Sequence, residues 1–568
     1  MTSVHPPSTL ESLVHAVAAE AGYEGDLALP SDPLRLRAIL RALLIRRPAS
    51  PLADANAEAQ LHKLLVQEAQ ARDPLSAKAA AAVLGELPAS THVGLWRGDI
   101  RRIAGGVIAN AANSAMLGCF VPDHRCVDNV IHAAAGPALR LACAQLRQNG
   151  DHEPVGTALL TTAGALPADA VAHTVGPQVP RGGKPSAEDA RLLAACYKSV
   201  LDASLAAGHA TVAFPCISTG LFGYPKREAA RVAADAVLGW LAANGNGVFV
   251  LFVAFSDDDE AALADALGAP ASVVATSRAA RLQQTIEQSA AALREADAVI
   301  VTGGAGLSAS AGVDYTSEEI HARFFPDMAE RGYRCMYEYI GGLPDDEQVK
   351  WGYLCRQVLE VRFGSKMITH ATYDVLRRIV GAKETFCLTS NVDGLLHRNG
   401  HFDAERVVER QGTYSLLQCL DGCGGKPWPS LPVLERLHAG IQPDGRTTAD
   451  LPTCPNCGSS NVFFNVRGGS WFDETPRREA EAAFRAFCDE LVDSTKRVVV
   501  LEIGCGFNTP TVIRSPNETL TARLGDRGTL IRVSLDHAQV PEGIEGHSIS
   551  VPYDATTWLE GVDRALVQ

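Results

Sequence analysis

Residues 297–315 read DAVIVTGGAGLSASAGVDY: a short apolar run, glycines at 303, 304 and 306, then an Ala/Ser-rich stretch. A brief apolar run closed by glycines reads as a buried strand entering a tight turn, and small helix-formers after it read as a helix start. The succession returns at 497–510 (RVVVLEIGCGFNTP), with a further strand at 528–535 (GTLIRVSL). Upstream, 93–100, 105–113, 169–177, 210–220 and 247–256 are also apolar runs, most ending at Gly or Asn. Between them 127–146 and 227–243 have helical periodicity and are each expected to form one helix. Strands alternating with helices give parallel α/β sheets covered on both faces. Ligands in such sheets bind beyond the carboxyl ends of the strands.

A chain of 568 residues is too long for one ordinary domain of roughly 150 residues. With 46% hydrophobic and 20% charged residues it has a sizeable core, which excludes a mostly disordered chain. The formal charge of −14 (51 minus 65) is repelled by phosphate backbones, so no nucleic-acid partner is expected. The longest purely apolar run, Val248–Phe255, is far short of the about 20 residues of a membrane span, so no membrane partner is expected either. The first residues, MTSVHPPSTLESLVHAVAAEAG, resemble neither a secretory signal nor a transit peptide, and a cytoplasmic location is expected. Fourteen cysteines then read as thiols, metal ligands or catalytic groups rather than disulfides.

Four segments are expected. Residues 1–85 form a helical extension, with Ser31 or Asp32 as N-cap of a helix over 31–47 and Pro33 just inside. Residues 86–268 form the first α/β domain. Residues 269–284, where the alternation weakens, form a linker. Residues 285–568 form the second α/β domain, interrupted at 412–466 by a module rich in Cys, Pro and Gly.

Cys119, His124 and Cys126 lie within eight residues, and two thiolates with an imidazole suit zinc. Three protein ligands leave one position for water or substrate, the arrangement of a catalytic metal. On spacing alone, two core thiols and a loop histidine explain the same residues equally well. Asp128 and His132, on the following helix, read as helix-face packing, with a supporting role beside the ligands as the alternative.

The ordered set GDI (98–100), ANAANSAMLG (109–118), HTVGP (173–177) and PCISTGLFGYP (215–225) resembles a macrodomain, the three-layer α/β fold that binds ADP-ribose. LGCFVPDHRCVDNVIH (117–132) resembles the zinc-containing branch of that family, whose members remove ADP-ribose from proteins and carry a helical N-terminal extension. The resemblance implies that Asp99 accepts a hydrogen bond from the adenine amino group and Ile100 lines the adenine pocket. It makes Asn113 a catalytic contact to the distal ribose, beside zinc on Cys119, His124 and Cys126. Ser218, Thr219, Gly220, Leu221 and Phe222, a turn expected to open a helix, would hold the pyrophosphate by backbone N–H groups.

Downstream, FCLTSNVDGL (386–395), VVERQG (407–412), CLDGC with CPNC (419–423, 454–457), FFNVRGGSWF (463–472) and VLEIGCGFNTP (500–510) follow the first glycine turn. This set resembles a sirtuin with a Rossmann-like domain, a family that cleaves NAD at its bond to nicotinamide. Sirtuin deacylases carry His–Gly where this chain has Gln411–Gly412. A Gln amide takes no proton at neutral pH, so base catalysis worth about 10²–10⁴-fold would be missing. The usual Gly-Ile-Pro-Asp-Phe-Arg stretch also departs, to Gly312-Val313-Asp314-Tyr315-Thr316. Both changes resemble the class M sirtuins, which transfer ADP-ribose to protein, lipoyl carriers among them. The resemblance makes Asn391 and Gln411 catalytic. It places Gly303, Ala305, Gly306, Ser308, Asp314, Asn391, Asp393, Gln411, Gly504, Cys505, Gly506 and Ser534 around NAD. Arg467 reads equally as an anion-pairing group and as a surface arginine. Cys419, Cys423, Cys454 and Cys457 have the spacing of a closed, structural four-thiolate zinc site.

Residues 500–510 also resemble the first motif of S-adenosylmethionine-dependent methyltransferases, but only about 60 residues follow Glu502, where that fold places well over 100. The chain is therefore expected to be a bifunctional enzyme with NAD as co-substrate, one catalytic and one structural zinc, and an ADP-ribosylated or lipoylated carrier protein as partner. A deacylase joined to a non-catalytic ADP-ribose reader is the alternative, and a redox-responsive scaffold a third.

Overall fold

A computed structural model describes the chain apart from residues 1–6, 24–28, 31–32, 83–86, 88, 123, 125, 148–151, 181, 246, 337, 339–345, 364–370, 508–509 and 568. The chain divides into two compact units, Met1–Arg281 and Leu282–Gln568. The expected linker is helical from Ala271 onward, as the start of a helix Ala271–Glu295. Its Ala, Ser, Arg and Gln residues obscure an apolar stripe without opposing a helix.

In the first unit α1 (Pro7–Glu20), α2 (Pro33–Arg46) and α3 (Ala55–Ala71) meet through Leu10, Leu13 and Val17, Leu36, Leu40 and Leu43, and Leu61 and Leu64, at helical spacing on each. Pro33 opens α2, and the N-cap expected at Ser31 or Asp32 lies outside the described residues. The strands of the main sheet are β1 (Val93–Arg97), β2 (Val107–Ala112), β3 (Ala158–Thr162), β4 (Ala170–Val175), β5 (Thr211–Phe214) and β6 (Phe249–Ala254), in sheet order β1-β6-β5-β2-β4-β3; Leu75–Ser76 and Ile103–Ala104 form a separate parallel pair. All pair parallel except β3 with β4. Alternate residues feed opposite faces: Val107, Ala109, Val212 and Phe214 one core, Ile108, Val171, Ala213 and Leu251 the other. Strands buried on both faces therefore read as unbroken apolar runs. The helix expected over 127–146 is two, α4 (Val127–Ala135) and α5 (Pro137–Leu146), broken at Gly136, whose φ of 81° lies outside the helical region. Pro137 cannot donate to the preceding turn.

The second unit holds β7 (Ala298–Gly303), β8 (Glu384–Thr389), β9 (Val407–Glu409), β10 (Gly412–Cys419), β11 (Trp428–Pro429), β12 (Val462–Val466), β13 (Val498–Ile503), β14 (Gly528–Val533) and β15 (Ser548–Val551). Its main sheet is parallel throughout, in the order β9-β8-β7-β13-β14-β15. Counted along the chain this is the doubly wound order 3-2-1-4-5-6, whose direction reverses between β7 and β13. A small antiparallel sheet, β11-β10-β12, belongs to the inserted module. Among the described residues no helix is long and apolar enough to cross a membrane.

Candidate functional site

In the first unit the expected residues follow the carboxyl ends of parallel strands: Asp99 after β1, Asn113 after β2, Ser218 after β5. One edge of the sheet thus collects them. Asn113 folds the loop after β2, its Nδ2 donating to Gly118 O (2.8 Å) and its Oδ1 accepting from Met116 N (3.0 Å). Met116 and Phe120 adopt φ of 58° and 59°, left-handed conformations that cost non-glycine residues about 1–3 kcal/mol each and concentrate at ligand sites. Asn129, wholly buried on α4, gathers the far end: its Nδ2 donates to Val121 O (2.7 Å) and His124 O (2.9 Å), and its backbone N–H donates to Cys126 Sγ (3.4 Å). As a result Cys119 Sγ lies 3.1 Å from His124 Nδ1, and the donor atoms of Cys119, His124 and Cys126 are all within 4.8 Å of one another. Among the described residues this set of three donors fits zinc, which takes four ligands. Burial pushes the Cys126 thiol up, so a cation is what would hold it as a thiolate.

Asp128 and His132 are buried and pack on the inner face of α4. Asp128 Oδ1 accepts from Asn110 Nδ2 (2.8 Å) and lies 3.5 Å from His132 Nε2. Neither is hydrogen-bonded to the metal-type residues; Asn129, between them in sequence, is. Below, His173 is engaged at both nitrogens, by Asn110 at Nδ1 (3.1 Å) and Thr161 at Nε2 (2.9 Å). Burial lowers its pKa to about 3.

Ser218 has φ of 67°, and a Cβ on Gly176 would lie 2.1 Å from its Oγ, so the glycine of HTVGP admits this turn. Val179 N donates to Phe222 O (2.7 Å) and Thr219 Oγ1 to Cys216 O (2.9 Å). Gly220 O accepts from Gly223 N, and Leu221 is exposed. The turn closes on itself and does not open a helix; the next begins at Lys226. Ile100 is buried, and Asp99 caps the 3-10 turn that follows it. Burial opposes ionisation of Asp99, but Arg101, 2.7 Å away, holds its carboxyl below the usual range as an ionised acceptor.

In the second unit a cavity of about 1430 Å³ opens at the strand ends where the winding reverses. It exceeds the roughly 300–1,000 Å³ usual for small ligands, which suits a dinucleotide with an acceptor beside it. Gly304, Ala305, Gly306, Asn391, Gln411, Arg467, Gly504, Cys505, Gly506 and Ser534 line it. The two glycine turns interlock: a Cβ on Gly306 would lie 2.6 Å from Gly504 Cα, and one on Gly504 2.3 Å from Leu307 N. Cys505 is buried, its thiol turned toward Ile503 O (3.6 Å). Asn391 Nδ2 donates to Gly304 O (2.9 Å) and Ser308 Oγ (3.0 Å), which spends both amide hydrogens and leaves its oxygen for a ligand. Ser308 in turn donates to buried Asp393 (2.7 Å), whose carboxyl burial pushes up.

Gly303, Ser308 and Asp393 thus support the lining without joining it. Asp314 is not part of the lining either: its carboxylate accepts from Thr316 N and Oγ1 and closes a turn. Gln411 occupies the turn between β9 and β10, its carbonyl accepting from Arg467 N (2.8 Å). Arg467 reaches the cavity but is half-exposed and paired with Glu474 (2.5 Å). Sequence reasoning missed Trp351, Tyr414, Trp471 and Asp536 in the lining, because none belongs to a recognisable spacing. Cys419 Sγ to Cys457 Sγ is 3.8 Å and Cys423 Sγ to Cys454 Sγ 3.7 Å. Zn–S bonds of about 2.3 Å in a tetrahedron give edges of about 3.8 Å, so this set also fits zinc. Glu502, the acid of the methyltransferase-like motif, is wholly buried against Arg532 (2.7 Å), out of reach of a ligand.

These features define a two-part protein, a loop-borne metal-type centre on one α/β unit and a dinucleotide-sized cavity on the other. Residues 109–233 match the family model described as Macro domain. Over 537 residues the chain is 37% identical to a Fusarium oxysporum f. sp. cubense protein described as a probable bifunctional ADP-ribose hydrolase/ADP-ribosyltransferase, covering 90% of this chain and 88% of that one. The chain belongs to that bifunctional family. A protein-ADP-ribose hydrolase of Treponema medium is 38% identical over 245 residues, 42% of this chain and 90% of its own length. The Trypanosoma brucei macrodomain in complex with ADP-ribose matches at 28% identity and TM-score 0.31, covering 40% of this chain and 95% of that one.

Proposed function

We propose that this chain writes and erases one modification. The first unit hydrolyses ADP-ribose from a protein side chain, and the second, a class M sirtuin, transfers ADP-ribose from NAD to a protein acceptor, a lipoyl-carrier protein. The full-length likeness to a bifunctional hydrolase/transferase supports the pairing. The observation that carries the transferase reading is Gln411 lining one cavity with Asn391 and both glycine turns, at the position where a deacylase holds an imidazole.

The chemistry balances without a base. An acceptor carboxylate attacks the ribose carbon as the bond to nicotinamide breaks, and the bonding pair leaves on the pyridinium nitrogen, giving an ester and neutral nicotinamide. The chain's part is positioning and charge stabilisation. The glycine turns offer backbone N–H groups to the pyrophosphate. Asn391's free amide oxygen faces the carbon that gains positive charge. In the first unit Asp99 receives the adenine amino group, the 218–222 turn holds the pyrophosphate and Asn113 orders the loop at the distal ribose. A zinc ion on Cys119, His124 and Cys126 would polarise the scissile ester or lower the pKa of a water; zinc on the four cysteines would only fold the module. The free cysteines suit a reducing compartment such as the cytoplasm.

The test combines labelled NAD, the purified chain and lipoyl-carrier proteins. A Cys119→Ser/Cys126→Ser form should accumulate labelled carrier, and a Gln411→Ala form should make none. Substantial deacylation by the wild type, or equal labelling by the Gln411→Ala form, rejects the transferase reading. Stoichiometric ADP-ribose binding without hydrolysis rejects the hydrolase.

A further inference from the structure

Arg140, on α5, is buried, and its guanidinium meets two parts of the first unit at once. Nη1 donates to Leu44 O (3.0 Å) and Arg47 O (2.6 Å), where α2 ends and no further helical turn follows to take up those carbonyls. A cation there also faces the negative end of the helix dipole. Arg47 is held in turn, its Nη2 donating to Glu20 of α1 (2.6 Å) and to Ser50 O (2.7 Å). On its other side the Arg140 guanidinium carbon lies 4.7 Å from the centroid of the Phe120 ring, and a Cβ on Gly118 would come within 3.1 Å of Nη2. Gly118, with φ of 92°, is the close approach that admits the arginine. Burial pushes Arg140 down to about 10 while Asp128 opposes the shift, so it is a cation at neutral pH.

Gly118 and Phe120 flank Cys119. The metal loop thus has two anchors: Asn129 gathers the end that bears His124 and Cys126, and Arg140 grips the residues on both sides of Cys119. A cation held over an aromatic face is attracted more strongly where water is excluded, and Arg140 is buried while Phe120 is partly exposed. We infer that Arg140 is a positioning residue for the metal centre, through which the docked helical extension holds Cys119 where it converges with His124 and Cys126. The extension is then a working part of the site and not a cap on the domain. This rests on the proposed metal-assisted hydrolysis.

The test uses the full chain and three variants, Phe120→Leu, Arg140→Met and the double form, with zinc affinity read by competition against a chromophoric chelator. Phe120→Leu removes the ring face and leaves the Arg140 hydrogen bonds to α2 intact. Its melting temperature should match the wild type while zinc at the Cys119 site binds about three- to tenfold more weakly. Arg140→Met keeps an apolar stem and should weaken that zinc at least about tenfold. The double form should bind no more weakly than Arg140→Met alone, because both changes break one contact. At limiting zinc, kcat for release of ADP-ribose from labelled carrier should fall in both single variants with KM unchanged, since Asp99 and the 218–222 turn are untouched, and raised zinc should restore it. Zinc at the Cys419 site and nicotinamide release from NAD should not change. Wild-type zinc affinity in Phe120→Leu, or losses that add in the double form, overturns the inference and leaves the hydrolase reading standing; Phe120→Leu decides even where Arg140→Met unfolds the unit. A wild type that binds zinc there but releases no ADP-ribose overturns the hydrolase reading, and the zinc titrations still decide the inference.

Discussion

Replacing Asn129 by alanine should loosen the metal loop without touching a ligand side chain. The change deletes two donors, to Val121 O at 2.7 Å and His124 O at 2.9 Å. Each such hydrogen bond contributes about 0.5–1.5 kcal/mol net. Val121 and His124 are not buried, so water replaces the lost donor at their carbonyls and the larger penalty of burial does not arise. The loss is then about 1–3 kcal/mol, drawn from the geometry that converges Cys119, His124 and Cys126. At about 1.4 kcal/mol per factor of ten, zinc should bind this site about 10–100-fold more weakly, the range found when partners of metal ligands are removed. Asn129→Asp should be worse, because its carboxylate would face two carbonyl oxygens. Titration of the full chain against a chromophoric chelator resolves two equivalents, and only one should weaken. Raised zinc should restore hydrolysis in Asn129→Ala. Two equivalents held as tightly as in the wild type would refute the idea that Asn129 shapes the site.

Other outcomes follow from the same structure. Cys454→Ser should cost one zinc equivalent and lower the melting temperature of the second unit while the first melts as before; retention of the metal would refute the four-thiolate site. His173 stays neutral down to about 3, whereas an unfolded imidazole titrates near about 6.5. The stability gained by keeping it uncharged is complete above about 6.5 and drains as pH falls from there to about 3. The first unit's unfolding midpoint should therefore fall more steeply across that window than in His173→Gln, and parallel curves would refute the assignment. Gly504→Ala should drive a Cβ into Leu307 N and Gly306, distorting the interlocked turns; a variant with wild-type stability and wild-type KM for NAD would contradict that packing.

Much of this arrangement was legible because parallel strands buried on both faces have no polar alternation to confuse, and several, such as Val107–Ala112 and Ala170–Val175, run into an asparagine or glycine that turns the chain. The two cysteine groups, whose donor atoms the fold gathers within 4.8 Å, were legible because cysteines two to seven residues apart are the usual spacing of candidate metal ligands. What could not be read was set by tertiary contact. Ala158–Thr162 joins as the antiparallel edge strand, yet its half-polar sequence, ALLTT, carries no strand signature of its own. The break at Gly136 is local, a φ of 81° followed by a proline without a donor, but the apolar period runs through it and masked it. Asn129 looked like one more polar helix residue; its role emerges from two carbonyls five and eight positions earlier. The carboxylate of Asp314 closes a local turn with Thr316 N and Oγ1, a partner its motif position did not indicate.

The two chemistries differ in what they demand of the protein, and the two units differ in the same way. Forming an ADP-ribosyl ester from NAD needs no proton removed from a carboxylate acceptor, so an imidazole at residue 411 would have nothing to do. A glutamine there can hold the ribose by hydrogen bonds without taking a proton. Hydrolysis runs against a poor nucleophile, water, and an acyl group that must be polarised, which is where a divalent cation with an open position contributes most. The first unit accordingly spends left-handed backbone at Met116 and Phe120, and a wholly buried Asn129, on converging three donors. The second spends its buried polar groups on fixing Asn391 through Ser308 and Asp393, beneath a cavity wide enough for a dinucleotide and an acceptor. The proposed division of labour, a base-free writer and a metal-assisted eraser in one chain, is thus the one that the residues at each site favour on chemical grounds.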